Sequence, residues 1–199
     1  MNTISLTDFV DIASKVGLHK FTNIRKIMNR PEYQPAFDYY KILRDHIIYL
    51  HKNNLYKNNI KEPRELTSDK KKWQNYSKII EGYKKFWGRK QTKWFEPPRG
   101  QWNKNSITVI LNPELGLKIN NEKFYAIKMY FKADPLSKNR IDISLFLMHQ
   151  FLPKMINGDE IIYSILDIRK SKLYTPTSFP EDILNALIAE TAYISSIWT

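Results

Sequence analysis

The residues best placed to do chemistry lie in the stretch NPELGLKINNEKFYAIKMYFK, Asn112 to Lys132. Two strand-like segments flank Asn120-Asn121, a pair suited to a tight hairpin turn, which needs positive φ at both central positions. Such a hairpin sets Glu114 on one strand and Lys128 on the next. A carboxylate and an ammonium brought together there form either the plain surface pair of a structural hairpin or part of a phosphate-handling site. Alternation places Lys128 and Lys132 on one face with Ala126 and Tyr130, away from the apolar row of Ile127, Met129 and Phe131.

A second stretch, YKKFWGRKQTKWFEPPRGQW, interleaves Lys84, Lys85, Arg89, Lys90, Lys93 and Arg99 with Tyr83, Phe86, Trp87, Trp94, Phe95 and Trp102. Cations neutralise phosphates and aromatic faces stack on bases, so the mixture suits single-stranded or distorted nucleic acid. It equally suits core aromatics with a solvated lysine rim. Arg89 and Arg99 stand out, because a guanidinium fork holds phosphate bidentately. A third basic group, Arg169, Lys170 and Lys172, surrounds an expected turn, which is either a plain solvent-exposed turn or the extension of a phosphate track.

Other chemistries lack their residues. The four histidines show no i, i+4 pair and no acid cluster at zinc-ligand spacing. No phosphate-cradling glycine loop and no serine elbow occurs, and the absence of cysteine removes disulfides and thiolate metal sites. The N-terminus has no signal-peptide pattern and no apolar run approaches a membrane span, so the reading is a soluble, cytoplasmic protein without a membrane partner.

The formal net charge of +12 is unevenly placed. Residues 1–100 hold 21 Lys and Arg against 10 Asp and Glu, and residues 52–99 alone carry a net +9. A field of that sign steers phosphate backbones or acidic proteins toward the N-terminal half.

The elements that must position these groups follow from periodicity. Ser5-Leu-Thr-Asp8 reads as an N-cap opening a helix to about Val16, and Gly17 then separates a second short helix ending before Pro31. Phe37, Tyr40, Ile42, Leu43, Ile47 and Leu50 form the apolar stripe of a third, with a polar stretch following from Lys52 to Lys72. Trp73 to Gly88 is a fourth. Beyond the paired prolines of WFEPPRGQW the pattern turns to strand in SITVILN, LGLKI and KFYAIKMYFK. Asp134-Pro135 then opens a helix, EIIYSILDIRKSKLYTP returns to strand, and a capping box from Ser178 to Glu181 starts a last helix. The expected fold is α+β. A helical basic region, 1–90, packs on a small mixed sheet of β-β-α-β-α order, 91–199, in one compact unit.

On these residues the chain resembles the PD-(D/E)XK nuclease family over about residues 73–175. Pro113-Glu114 matches the family's proline-acid pair. Ala126-Ile127-Lys128 stands in the place of acid-x-Lys, with the lysine kept and the acid replaced by alanine. The resemblance implies a nuclease-like core in which, where active, carboxylates hold Mg2+ or Mn2+ and the lysine assists the attacking water. Loss of one of two acids weakens a hard-cation site unless another carboxylate replaces it. The candidates are Glu122, Asp142 and Glu81, the last preferred because family members sometimes draw an acid from the preceding helix. The expected function is therefore nucleic-acid binding by a degenerate or minimal metal-dependent nuclease-like fold. Glu114, Lys128, Glu81 and Asp142 would serve if it cuts, and Lys128 with Lys132 would contact phosphate if it binds. Glu114 and Lys128 would then be dispensable for stability. The alternative is a protein-interaction module, an inhibitor or a subunit of a bacterial or phage defence complex, docking its basic surface on an acidic partner.

Overall fold

The computed structural model describes residues 2–32, 34–35 and 38–198. The chain opens with a short strand β1 (Asn2–Ser5) that periodicity did not reveal, because four residues are too few to show an alternation. Ser5 then caps α1 (Leu6–Ala13): its Oγ accepts the Asp8 N–H at 3.0 Å, and Leu6, Phe9, Val10 and Ile12 are buried. Gly17, at φ +54°, opens α2 (Gly17–Met28) rather than closing α1.

The third helix, α3 (Lys41–Lys52), buries Leu43, Ile47 and Leu50, whereas Ile42 is exposed. Phe37, expected on the same stripe, lies outside the described residues. The polar stretch that follows holds a 3-10 turn (Lys57–Asn59) and one turn of helix, α4 (Pro63–Leu66). Next comes α5 (Lys70–Trp87), which ends at Gly88 with φ +55°.

The proline-rich stretch WFEPPRGQW, expected as an extended connection, overlaps a strand at each end. It runs from β2 (Thr92–Trp94) into β3 (Gly100–Lys104), which pairs antiparallel with β4 (Ile107–Leu111), and β1 joins β4 in parallel. These three strands form the smaller sheet. The larger sheet is built on the hairpin of β5 (Leu115–Ile119) and β6 (Lys123–Tyr130), whose turn residues Asn120 and Asn121 take φ +54° and +58° as their types predict. β2 pairs antiparallel with β5 on one side. On the other, α6 (Lys138–Phe151) crosses over to β8 (Asp159–Asp167), parallel to β6. The short β7 (Met155–Ile156) and β9 (Lys172–Tyr174) flank β8, and α7 (Ile183–Ile197) closes the chain.

Both late caps differ from expectation. Ser137, not Asp134, caps α6, and α7 begins after Asp182 with no side-chain cap bond, so the Ser178 box does not form. In each case the proline lies outside the helix, Pro135 ahead of the cap Ser137 and Pro180 ahead of Asp182.

The protein is α+β, with seven helices among the described residues and two mixed sheets. Two apolar cores lie on opposite faces of the larger sheet. Ala126, Tyr163 and Ile165 face α1, α6, α7 and the smaller sheet, while Ile127, Met129 and Phe131 face α3 and α5. The N-terminal helices are thus divided between both faces of the larger sheet. Among the described residues no helix is long and apolar enough to cross a membrane.

Candidate phosphate-binding cleft

Asn112-Pro113-Glu114 carries the chain from β4 of one sheet into β5 of the other. The Glu114 N–H bonds the Ile127 carbonyl at 3.0 Å, but Pro113 stops the ladder there. The Glu114 side chain takes over: Oε2 accepts the Met129 N–H at 2.9 Å and Oε1 accepts Lys128 Nζ at 2.5 Å. The ammonium also donates to Asn112 Oδ1 at 3.3 Å. Glu114 and Lys128 do converge, and their side chains are only 15% and 14% exposed.

They open onto a cleft of about 710 Å³ between α1, the start of α3, the ends of β5 and β6, and α6. Six cations line it, Arg30, Arg44, Arg99, Lys128, Lys132 and Arg140, with five carboxylates, Asp8, Asp11, Asp38, Asp45 and Glu114. Most are already paired. Arg30 grips Asp8 bidentately at 2.9 and 3.1 Å, and Arg44 meets Asp38 at 2.8 Å. One carboxylate, Asp11, holds both Lys132 at 2.7 Å and Arg140 at 2.6 Å. Burial pulls the Arg44 guanidinium down, but its bond to Asp38 and the fields of Asp38, Glu114 and Asp45 leave it above its usual value. The bond to Asp8 likewise raises Arg30.

The third carboxylate sought in the sequence does not reach this place. Glu81 is exposed on α5, which packs on the Ile127 and Met129 face, across the sheet from Lys128. Asp142 pairs with Lys138 and does not line the cleft, because Arg140 and Ser144 of the same helix occupy that face. Glu122 sits at the turn, about 20 Å along β6 from Lys128 at strand spacing. Ala126 is fully buried, opposite Gly116 and Tyr163. A carboxylate at position 126 would be dry. Among the described residues no three His, Asp or Glu side chains converge as a metal ion requires. The residues present do not fit the Mg2+ or Mn2+ that the nuclease resemblance implies.

The basic candidates divide into free and engaged. Lys85, Arg89 and Lys93 are exposed and in no ion pair among the described residues. Arg99 lines the cleft, 3.6 Å from Glu96. Lys84 meets Glu62 at 3.3 Å, and Lys90 binds the Phe86 carbonyl. Arg169 is spent on structure: Nε donates to the Phe131 carbonyl at 2.8 Å and its other end to Asn75, tying β6 to α5. Lys170 lies 4.0 Å from Asp167, and Lys172 covers the Tyr174 ring at 4.7 Å. Tyr83, Phe86, Trp87 and Trp102 are buried, so of the two readings of that stretch the structure favours core aromatics with a cationic rim.

Sequence reading missed Asp8, Asp11, Arg30, Arg44 and Arg140. Asp11 meets partners 121 and 129 residues away, a separation at which no local pattern operates. Neither protein-family models, curated proteins nor solved structures yield a match to this chain.

Proposed function

We propose that this protein binds nucleic acid in the cleft beside Glu114 and Lys128 and holds the strand without metal-dependent cleavage. The observation that carries this reading is the Glu114–Lys128 pair, 2.5 Å apart at the edge of a cleft lined by six cations and five carboxylates. Supporting it is the order of elements around the pair. A helix (α5), three antiparallel strands (β2, β5, β6), a helix (α6) and a parallel strand (β8) follow one another, with β3 and β4 inserted. That is the setting of helix, acid-bearing hairpin, helix and strand in which PD-(D/E)XK nucleases carry their acid and lysine. Binding rather than cutting is favoured because the second acid is a buried methyl group and Glu114 already spends both oxygens on Lys128 and Met129.

The test is a gel shift with unrelated single- and double-stranded oligonucleotides at low salt, with and without Mg2+ or Mn2+. A retarded, intact oligonucleotide in all metal conditions is the expected result. Metal-dependent loss of substrate would overturn the non-cutting reading. No shift with any oligonucleotide would overturn nucleic-acid binding and favour the module that docks on an acidic protein.

A further inference from the structure

The cleft and the free cations lie on different parts of the molecule and differ in electrostatic character. Within the cleft six cations face five carboxylates, leaving a nearly balanced, ion-paired lining with a weak long-range field. The exposed face of α5 is the reverse. Lys71, Lys78 and Lys85 recur every seven residues there, two helical turns apart, and Arg89 follows just past the helix end. None of the four is in an ion pair among the described residues, and Glu81 is the acid on that stripe. At helical rise the lysines span about 21 Å.

Tyr39 and Tyr40 connect the cleft to the N-terminal half of α5. Tyr40 lines the cleft, and Tyr39 beside it meets Tyr40 edge-on at 4.8 Å and Tyr76 of α5 at 5.9 Å. Tyr76 donates its hydroxyl to the Tyr39 carbonyl at 2.5 Å. Lys72, next to the first lysine of the stripe, stands 5.1 Å over the Tyr39 ring, which is 37% exposed. An aromatic with a cation over it therefore sits where the cleft gives way to the helix.

Size sets what can enter. A cavity of about 710 Å³ lies in the range that takes one small-molecule-sized group. A base in a duplex reaches such a pocket only by leaving its stack, whereas an unpaired base enters without that cost. Resting on the proposed nucleic-acid binding, we infer that the cleft takes one unpaired nucleotide of a single strand. The strand's backbone leaves past Tyr39 and runs along the Lys71, Lys78, Lys85 stripe. The cleft selects unpaired strand and the stripe supplies the salt-sensitive attraction.

Fluorescence anisotropy with a labelled single strand and its blunt duplex, over a series of salt concentrations, tests this. The wild-type protein should bind the single strand at least about tenfold more tightly than the duplex, the stack-breaking cost falling on the duplex alone. Adenosine 5′-monophosphate at millimolar concentration should compete with the strand. In the triple variant Lys71→Gln, Lys78→Gln, Lys85→Gln the slope of log K against log salt should shrink by about 2, at roughly 0.7 per phosphate contact on single strands. All three lysines are exposed or on the outer face of α5, and an unchanged thermal melt establishes that the variant is folded. Equal or tighter duplex binding, absent competition by the mononucleotide, or an unaltered slope in the triple variant each overturns this inference while nucleic-acid binding stands. Absence of binding to any strand overturns both.

Discussion

At the scale of single residues, Glu114 has two tasks. Its carboxylate stands in for a strand: where Pro113 ends the β5 ladder, Oε2 receives the Met129 N–H that would otherwise face no carbonyl. Its other oxygen holds Lys128. This geometry argues that Glu114 also contributes to stability, against the expectation that the pair is dispensable for it. Glu114→Ala leaves a mostly buried N–H without its acceptor and an ammonium with only Asn112 for company, and should cost about 2–3 kcal/mol. Glu114→Gln keeps an acceptor for Met129 while losing the charge, and should cost about half as much. Urea denaturation midpoints of the two variants measure the difference. Equal stability of Glu114→Ala and wild type would show that the bond to Met129 contributes nothing and that the pair serves binding alone.

At the scale of elements, α5 approaches the larger sheet at a point set by one glycine. A Cβ on Gly82 would lie 2.1 Å from the Ile168 carbonyl oxygen, and Ser171 Oγ donates to the Gly82 carbonyl at 2.8 Å. In an exposed helix Gly→Ala stabilises by about 1 kcal/mol, but here the added methyl meets backbone that cannot swing aside. Gly82→Ala should therefore destabilise, by about 2 kcal/mol or more on the scale of overpacked cores, seen as a lower melting temperature. A gain in stability would show that α5 can shift without loss. The element itself was legible from Trp73 to Gly88 because a long apolar stripe and a terminal glycine are local signals. So was the β5–β6 hairpin, from alternation and the Asn120-Asn121 pair. What was not legible had no local signature. β1 is four residues long and β2 is three.

At the scale of the whole molecule, the site was half visible: Glu114 and Lys128 are drawn together by a hairpin, a local device, whereas the cleft around them is closed by residues from α1, α3 and α6 that only the tertiary fold assembles. The same holds for stability against pH. His51 of α3 is buried between β2 and α5, with Nε2 2.6 Å from the Tyr83 hydroxyl, Nδ1 3.2 Å from Thr92 Oγ1, and its ring 4.1 Å from that of Trp87. No carboxylate is among these neighbours, and burial holds the imidazole down to about 4 from an ordinary value of 6.5. Between those two values the unfolded chain takes up the proton and the folded chain does not. The contribution of His51 is thus fully present above pH 6.5 and is lost as pH falls toward 4, by about 3 kcal/mol at about 1.4 kcal/mol per unit. Burial also lowers His46 and His149, so these act in the same direction and must be separated from it. His51→Gln does so, since an amide can bond Tyr83 and Thr92 but takes no proton in this range. Urea denaturation at pH 7 and at pH 4.5 should show the wild type losing about 2 kcal/mol more than the variant over that interval. Parallel losses in the two proteins would mean that the packed imidazole does accept a proton in the folded state, and that the weld between α3, α5 and β2 tolerates a charge.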